Sequence, residues 1–159
     1  MPKAAVIYEK GNPEVFRWED VDLPNPREGE VLIKNTAIGV NYIDTYHRRG
    51  MPHPWPVPPL PVVLGIEGVG LVDNLGPRVN QFKEGDRVAY ALPPHGAYSE
   101  KRIYPVDKLL KVPDSLNNFS DEDLAALMLK GLTAQFLLKR TYKVTPGDVV
   151  LIHAAAGGM

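Results

Sequence analysis

Pro146-Gly147-Asp148-Val149-Val150-Leu151-Ile152-His153-Ala154-Ala155-Ala156-Gly157-Gly158-Met159 closes this chain of 159 residues. Pro146-Gly147-Asp148 is turn chemistry. Residues 149–153 read as a buried, parallel-type strand, and the strand runs into paired glycines. A strand–Gly-turn–helix nucleotide site begins in this way, with diphosphate held on backbone N–H groups at the helix start. The helix and the second strand with its ribose-binding acid do not follow within the 159 residues. The phosphate cradle is therefore half built.

Working back from that stretch, Ser120-Asp121-Glu122-Asp123 places a cap residue before three acids, which suits the positive end of a helix. Leu124, Leu127, Met128, Leu132 and Phe136 follow at helical spacing, so a helix is expected over 121–140. Before residue 113 the pattern is different. Short β-type runs recur between turn signals at 3–8, 15–21, 31–40, 62–75, 85–90, 96–106 and 109–112, with a short helix at 41–49. Gly65, Gly68 and Gly70 sit among branched residues in the fourth run, where the backbone passes close to something or bends at a barrel corner. Residues 52–61 hold six prolines in ten, a stiff extended loop carrying Trp55. The expected class is mainly β with an α/β continuation.

Composition narrows the function. Hydrophobic residues make up 44% of the chain, enough for a core, and the net charge of −1 gives no basic surface for nucleic acid or anionic lipid. No apolar run approaches the roughly 20 residues of a membrane span. The N-terminus carries no signal-peptide pattern. Cysteine is absent, which excludes disulfides and thiolate zinc sites and fits a cytoplasmic location.

Six segments then occur in register. They are Gly39-Val40-Asn41-Tyr42-Ile43-Asp44, Gly65-Ile66-Glu67-Gly68-Val69-Gly70, Gly85-Asp86-Arg87-Val88, Gly96-Ala97-Tyr98-Ser99-Glu100, Lys130-Gly131-Leu132-Thr133-Ala134 and Ala154-Ala155-Ala156-Gly157-Gly158. Together they resemble the medium-chain dehydrogenase/reductases, and specifically the zinc-independent NADPH:quinone oxidoreductase (zeta-crystallin-like) branch. The resemblance covers essentially all of the chain and about half of a family member. It implies a GroES-like β-barrel catalytic domain over 1–119, followed over 120–159 by a linking helix and the start of a truncated Rossmann NADPH-binding domain. The cleft between the two domains would hold cofactor and substrate.

The zinc-binding relatives place ligands at positions that fall on Asn41, Ile66 and near Ala126 here. None is a usual zinc ligand, so no metal is expected. Without a Lewis acid, activating an alcohol is difficult. A quinone is already electrophilic and needs only a positioned hydride from NADPH and donors for the developing oxyanion.

Asn41 is either a helix cap or a neighbour of the nicotinamide. Tyr42 is either core packing or a donor, and Asp44 and Tyr46 are cofactor-side residues by the resemblance. Lys130 is either a snorkelling helix residue or a cleft cation. Thr133 is placed near the nicotinamide amide, and Gly157 and Gly158 form the diphosphate turn. Glu67, Gly68 and Gly70 shape a barrel corner, and His153 is structural. The catalytic proton donor is unassigned, with Tyr46 and His53 as candidates. The 2-enoyl thioester reductases carry a Tyr just after the Gly that matches Gly50; Met51-Pro52-His53 stands there instead, which weakens that assignment.

The reading that follows is an NADPH-dependent quinone reductase acting on a small-molecule quinone or activated alkene, with a homodimer possible for the full-length protein. The alternatives are a zinc-free enone or 2-enoyl reductase on the same scaffold, and a non-catalytic barrel that serves as an interaction domain. By itself, the half-built cofactor site is expected to be inactive.

Overall fold

A computed structural model describes residues 1–52, 59–155 and 157. Strands β1 (Lys3–Ile7), β2 (Phe16–Asp20) and β3 (Glu30–Gly39) lead into helix α1 (Tyr42–Arg49). Strands β4 (Val62–Val63), β5 (Glu67–Leu75), β6 (Arg87–Tyr90), β7 (Lys101–Pro105) and β8 (Leu110–Lys111) follow, and helix α2 (Asp121–Phe136) comes last. The strands form two antiparallel sheets, ordered β2-β1-β4 and β7-β3-β5-β6-β8. A bridge between Ala4 and Ser99 ties the sheets together. It is flanked by hydrogen bonds from the Ala5 N–H to the Tyr98 carbonyl and from the Glu100 N–H to the Lys3 carbonyl, both 2.8 Å.

The seven β-type runs expected from sequence are all present, with one division. Residues 62–75 form two strands rather than one. Gly65 has φ +84°, a backbone that only glycine adopts without strain. At that point the chain leaves the β1 sheet, where Val62 and Val63 pair with Ile7 and Val6, and enters the other, where Glu67 pairs with Gly39. The Pro-rich loop with Trp55 falls largely on 53–58, outside the described residues.

Strand alternation explains the core. Val31 and Ile33 of β3, Val72 of β5, Val88 and Tyr90 of β6 and Tyr104 of β7 point inward and are buried together with Val79, Ala97 and Leu109. Arg102 points in as well. Its guanidinium packs against the rings of both Tyr90 and Tyr104, 4.6 and 4.5 Å from their centroids, which also touch each other. Its Nη2 donates to the carbonyls of Pro94 (2.7 Å) and His95 (3.2 Å). Two aromatic faces and two carbonyls thus stand where a carboxylate usually would, while Nε and Nη1 are buried without a hydrogen-bond partner.

A second cluster joins helix to barrel. Leu124 and Ala125 of α2 are buried against Val69, Ala89 and Val112. The helix starts where expected: Ser120 Oγ accepts the Asp123 N–H at 3.0 Å, and Asp123 returns a carboxylate to the Ser120 N–H. Arg87 of β6 holds Asp121 and the carbonyl of Phe119. Beyond its first turns α2 leaves the barrel, and Leu127 and Phe136 are exposed. It ends at Phe136 and widens into a π-helical turn at Leu137–Thr141.

The strand expected at 149–153 is not formed. These residues have no regular structure and Val149 is fully exposed. A parallel strand exists through its ladder to neighbours, and no described strand lies beside this segment.

Candidate functional site

The site is built where β3 ends. Gly39 is buried at the last position of β3, and Asn41 caps α1 in an extended conformation. The Asp44 carboxylate turns back to accept the Asn41 backbone N–H at 2.9 Å. His47, Arg48 and Arg49 occupy the negative end of α1, and Gly50 closes it with φ +70°. Asn41 therefore stands at the cap position, where its backbone carbonyl accepts the Asp44 N–H at 3.0 Å, and its side chain is used elsewhere.

The Asn41 amide lies between two charges. Its Nδ2 donates to Glu67 Oε2 at 2.6 Å, and its Oδ1 accepts from Lys130 Nζ at 3.2 Å. Lys130 Nζ is also 3.9 Å from Glu67 Oε2. Glu67 is completely buried. Its other oxygen, Oε1, accepts the backbone N–H of Leu129 at 2.6 Å. One carboxylate thus reaches from β5 to the cap of α1 and into the middle of α2. Gly39 makes room for it: a Cβ there would strike the Glu67 carboxylate and stand 2.6 Å from the carbonyl oxygen of Ala125.

Asp44 is the second buried carboxylate. Its Oδ2 accepts from Tyr98 Oη at 2.7 Å as well as from the Asn41 N–H. Its Oδ1 is buried with no hydrogen-bond partner. Burial raises the Asp44 pKa above the ordinary carboxylate value, against the Tyr98 and Asn41 hydrogen bonds and the charge of Lys130. Burial, and then the Asp44 charge, push the Tyr98 phenol up as well. Phe16, Val40, Asn41, Asp44, Thr45, Arg48 and Tyr98 line a cavity of about 200 Å³ at this point. A second cleft, about 250 Å³, runs between β3 and α2 past Lys130.

The structure therefore brings Asn41, Asp44 and Lys130 together. The Lys130 ammonium reaches across to Asn41 on another element, at the edge of the second cleft. Tyr42 is exposed and stacks edge-to-face on the half-buried Tyr46, centroids 5.4 Å apart. Both stand on the outer side of α1. Thr133 lies one turn beyond Lys130, and its hydroxyl donates to the Leu129 carbonyl at 2.8 Å. Gly157 sits in an exposed turn, its N–H donating to the Ala154 carbonyl at 2.7 Å. Gly158 and His53 lie outside the described residues.

Sequence reasoning gave Glu67 a corner role only and passed over Tyr98. Glu67 does follow the Gly65 corner, but it also binds α1 and α2. The available signal was an acid flanked by Ile66 and Gly68 in an otherwise apolar run, where a charge has no route to water. Among the described residues no group of three or more His, Asp or Glu is arranged to hold a metal. Of the three positions where the resemblance puts zinc ligands, two carry an amide (Asn41) and a buried isoleucine (Ile66), and the third falls near Ala126. That donor set does not fit zinc.

Residues 27–114 match the alcohol dehydrogenase GroES-like domain, which is more than half of the 159 residues. The chain belongs to this family. It is 56% identical over 159 residues to a 2-haloacrylate reductase from Burkholderia sp, covering 100% of this chain and 47% of that protein. It is 48% identical over the same span to a quinone oxidoreductase from Pseudomonas aeruginosa, again covering 100% of this chain and 47% of the relative. The structure of Escherichia coli quinone oxidoreductase complexed with NADPH superposes with a TM-score of 0.83 at 40% identity, covering 91% of this chain and 42% of that one. The chain spans about half the length of the curated relatives it matches.

Proposed function

We propose that this chain supplies the barrel side of an NADPH-dependent, zinc-independent quinone reductase. Residues 1–119 are its GroES-like catalytic domain, and 120–159 link to and begin its cofactor domain. The observation that carries the reading is the Lys130–Asn41 pair at the cleft edge, beside a buried Asp44 oxygen without a donor. NADPH, when bound, supplies the hydride. The chain's own residues have three tasks. Lys130 offers its remaining N–H donors to the cofactor and to the carbonyl oxygen on which negative charge develops. Asp44 Oδ1 accepts a hydrogen bond from a hydroxyl or amide of the cofactor. Gly39, Val40 and Ala126 line the cleft beside Lys130 and exclude water from that wall.

The quinone oxidoreductase relatives and the NADPH-bound neighbour support the cofactor and acceptor. Absence of cysteine suits a cytoplasmic enzyme, and no described helix is long and apolar enough to cross a membrane. A second reading is reduction of an activated C=C bond. The 56% identity to a 2-haloacrylate reductase favours it specifically, and the same cation would serve, since hydride addition to either acceptor places charge on an oxygen.

The test is NADPH oxidation by the full-length protein with 1,4-benzoquinone and with 2-chloroacrylate, before and after exhaustive chelation. A higher kcat/KM on the quinone, unchanged by chelator, is expected. A higher value on the haloacrylate selects the second reading. No NADPH binding, or activity lost on chelation, refutes both.

A further inference from the structure

We propose that Glu67 is a positioning residue for the cofactor side of the cleft, acting through Asn41 and Lys130. The inference rests on the NADPH reading above and adds to it a residue that makes no contact with the cleft itself.

An asparagine side chain can present oxygen or NH₂ in either direction, and its neighbours decide which. Here both neighbours decide the same way. The Glu67 carboxylate is acceptor-only and draws Nδ2 inward at 2.6 Å, while the Lys130 ammonium is donor-only and draws Oδ1 outward at 3.2 Å. Glu67 has no freedom to compromise. It is fully buried, and its second oxygen is committed to the Leu129 N–H, next to Lys130 in the same helix. The carboxylate thus sets the polarity of Asn41 and the location of α2 at once, and Lys130 follows from both. Its ammonium is held at the cleft edge by an acceptor oriented from behind.

This geometry makes Glu67→Gln an inversion rather than a deletion. An Nε2 turned toward the Leu129 N–H would set donor against donor, so the new Oε1 stays with it. The new Nε2 then faces Asn41 as a donor, and Asn41 turns its Oδ1 inward. Its Nδ2 is left pointing at the Lys130 ammonium, two donors facing each other, and Lys130 leaves its position. The loop closes with no change of fold and almost no change of volume.

The test is a double-mutant cycle on NADPH affinity in the full-length protein, read by cofactor fluorescence. Glu67→Gln is expected to raise the NADPH Kd about 10-fold in the wild-type background and less than about 2-fold in Asn41→Ala, where no amide remains to invert. An equal factor in both backgrounds, or an unchanged Kd in Glu67→Gln, overturns the proposal and leaves the cofactor reading intact. Wild-type protein that does not bind NADPH refutes the cofactor reading and this inference with it. Should Glu67→Gln not fold, Lys130→Met reads the same cluster from its half-exposed side. A Kd raised about 10-fold supports it and an unchanged Kd overturns it.

Discussion

Gly39→Ala tests the joint between barrel and helix directly. The new methyl would meet the Glu67 carboxylate and stand 2.6 Å from the Ala125 carbonyl oxygen, well inside an ordinary carbon–oxygen contact. Neither neighbour can yield cheaply. Glu67 is pinned by Asn41 and Leu129, and Ala125 is packed in the second core cluster. Overpacking of this kind costs about 1–3 kcal/mol. Displacing the carboxylate forfeits at least one charged hydrogen bond, about 1.5–3 kcal/mol more. The expected loss is therefore about 2.5–6 kcal/mol, a large share of the roughly 5–15 kcal/mol that holds a domain folded. Urea unfolding followed by circular dichroism should show a lower midpoint at unchanged slope. A loss below about 1 kcal/mol would refute the claim that Gly39 is required for close approach.

Three further outcomes are expected. Gly131→Ala, also in α2 but with open space around its Cβ position, should stabilise the chain by about 0.5–1 kcal/mol in the same assay, the opposite sign to Gly39→Ala. Ser120→Ala removes the acceptor of the Asp123 N–H and should cost about 1 kcal/mol. His95, whose Nε2 lies 2.9 Å from His47 Nδ1, has its pKa lowered to about 4 by burial first, then by His47, Arg102 and Lys10. The unfolded chain therefore binds more protons than the folded one between about pH 6.5 and 4, and stability falls as pH drops through that window. Because the ring is partly solvated, the contribution is discounted to about 1–2 kcal/mol. A pH series of urea midpoints for wild type and His95→Gln should differ most across that window; parallel curves would exclude the assignment.

The barrel was legible because β alternation is local. Val31 and Ile33 face the core as the period of two requires, and Ser120–Asp123 marks the start of α2 without ambiguity. The two-sheet exchange at Gly65 was half legible: the glycines signalled a bend, but which strand each half would join depends on β1, some 60 residues earlier. Asn41, Asp44 and Lys130 could be nominated from motif positions. Their meeting could not, because the group that assembles them, Glu67, acts through contacts 26 and 62 residues away. Residues 149–153 have strand composition without a ladder, and composition alone forms no strand. Arg102 was invisible for another reason. Charge patterning assigns an arginine to the surface, and its true environment, two tyrosine faces, comes from three positions on two strands.

Helix α2 is fastened to the barrel near one end, at Leu124, Ala125 and Leu129, and runs free beyond. Mechanically it is a lever. From Leu129 to Phe136 the axis extends about 10 Å at 1.5 Å per residue, so a tilt of about 10° at the fastening moves the far end by about 2 Å. A tilt of that size would carry the residues beyond Phe136 by more than the length of a carbon–carbon bond.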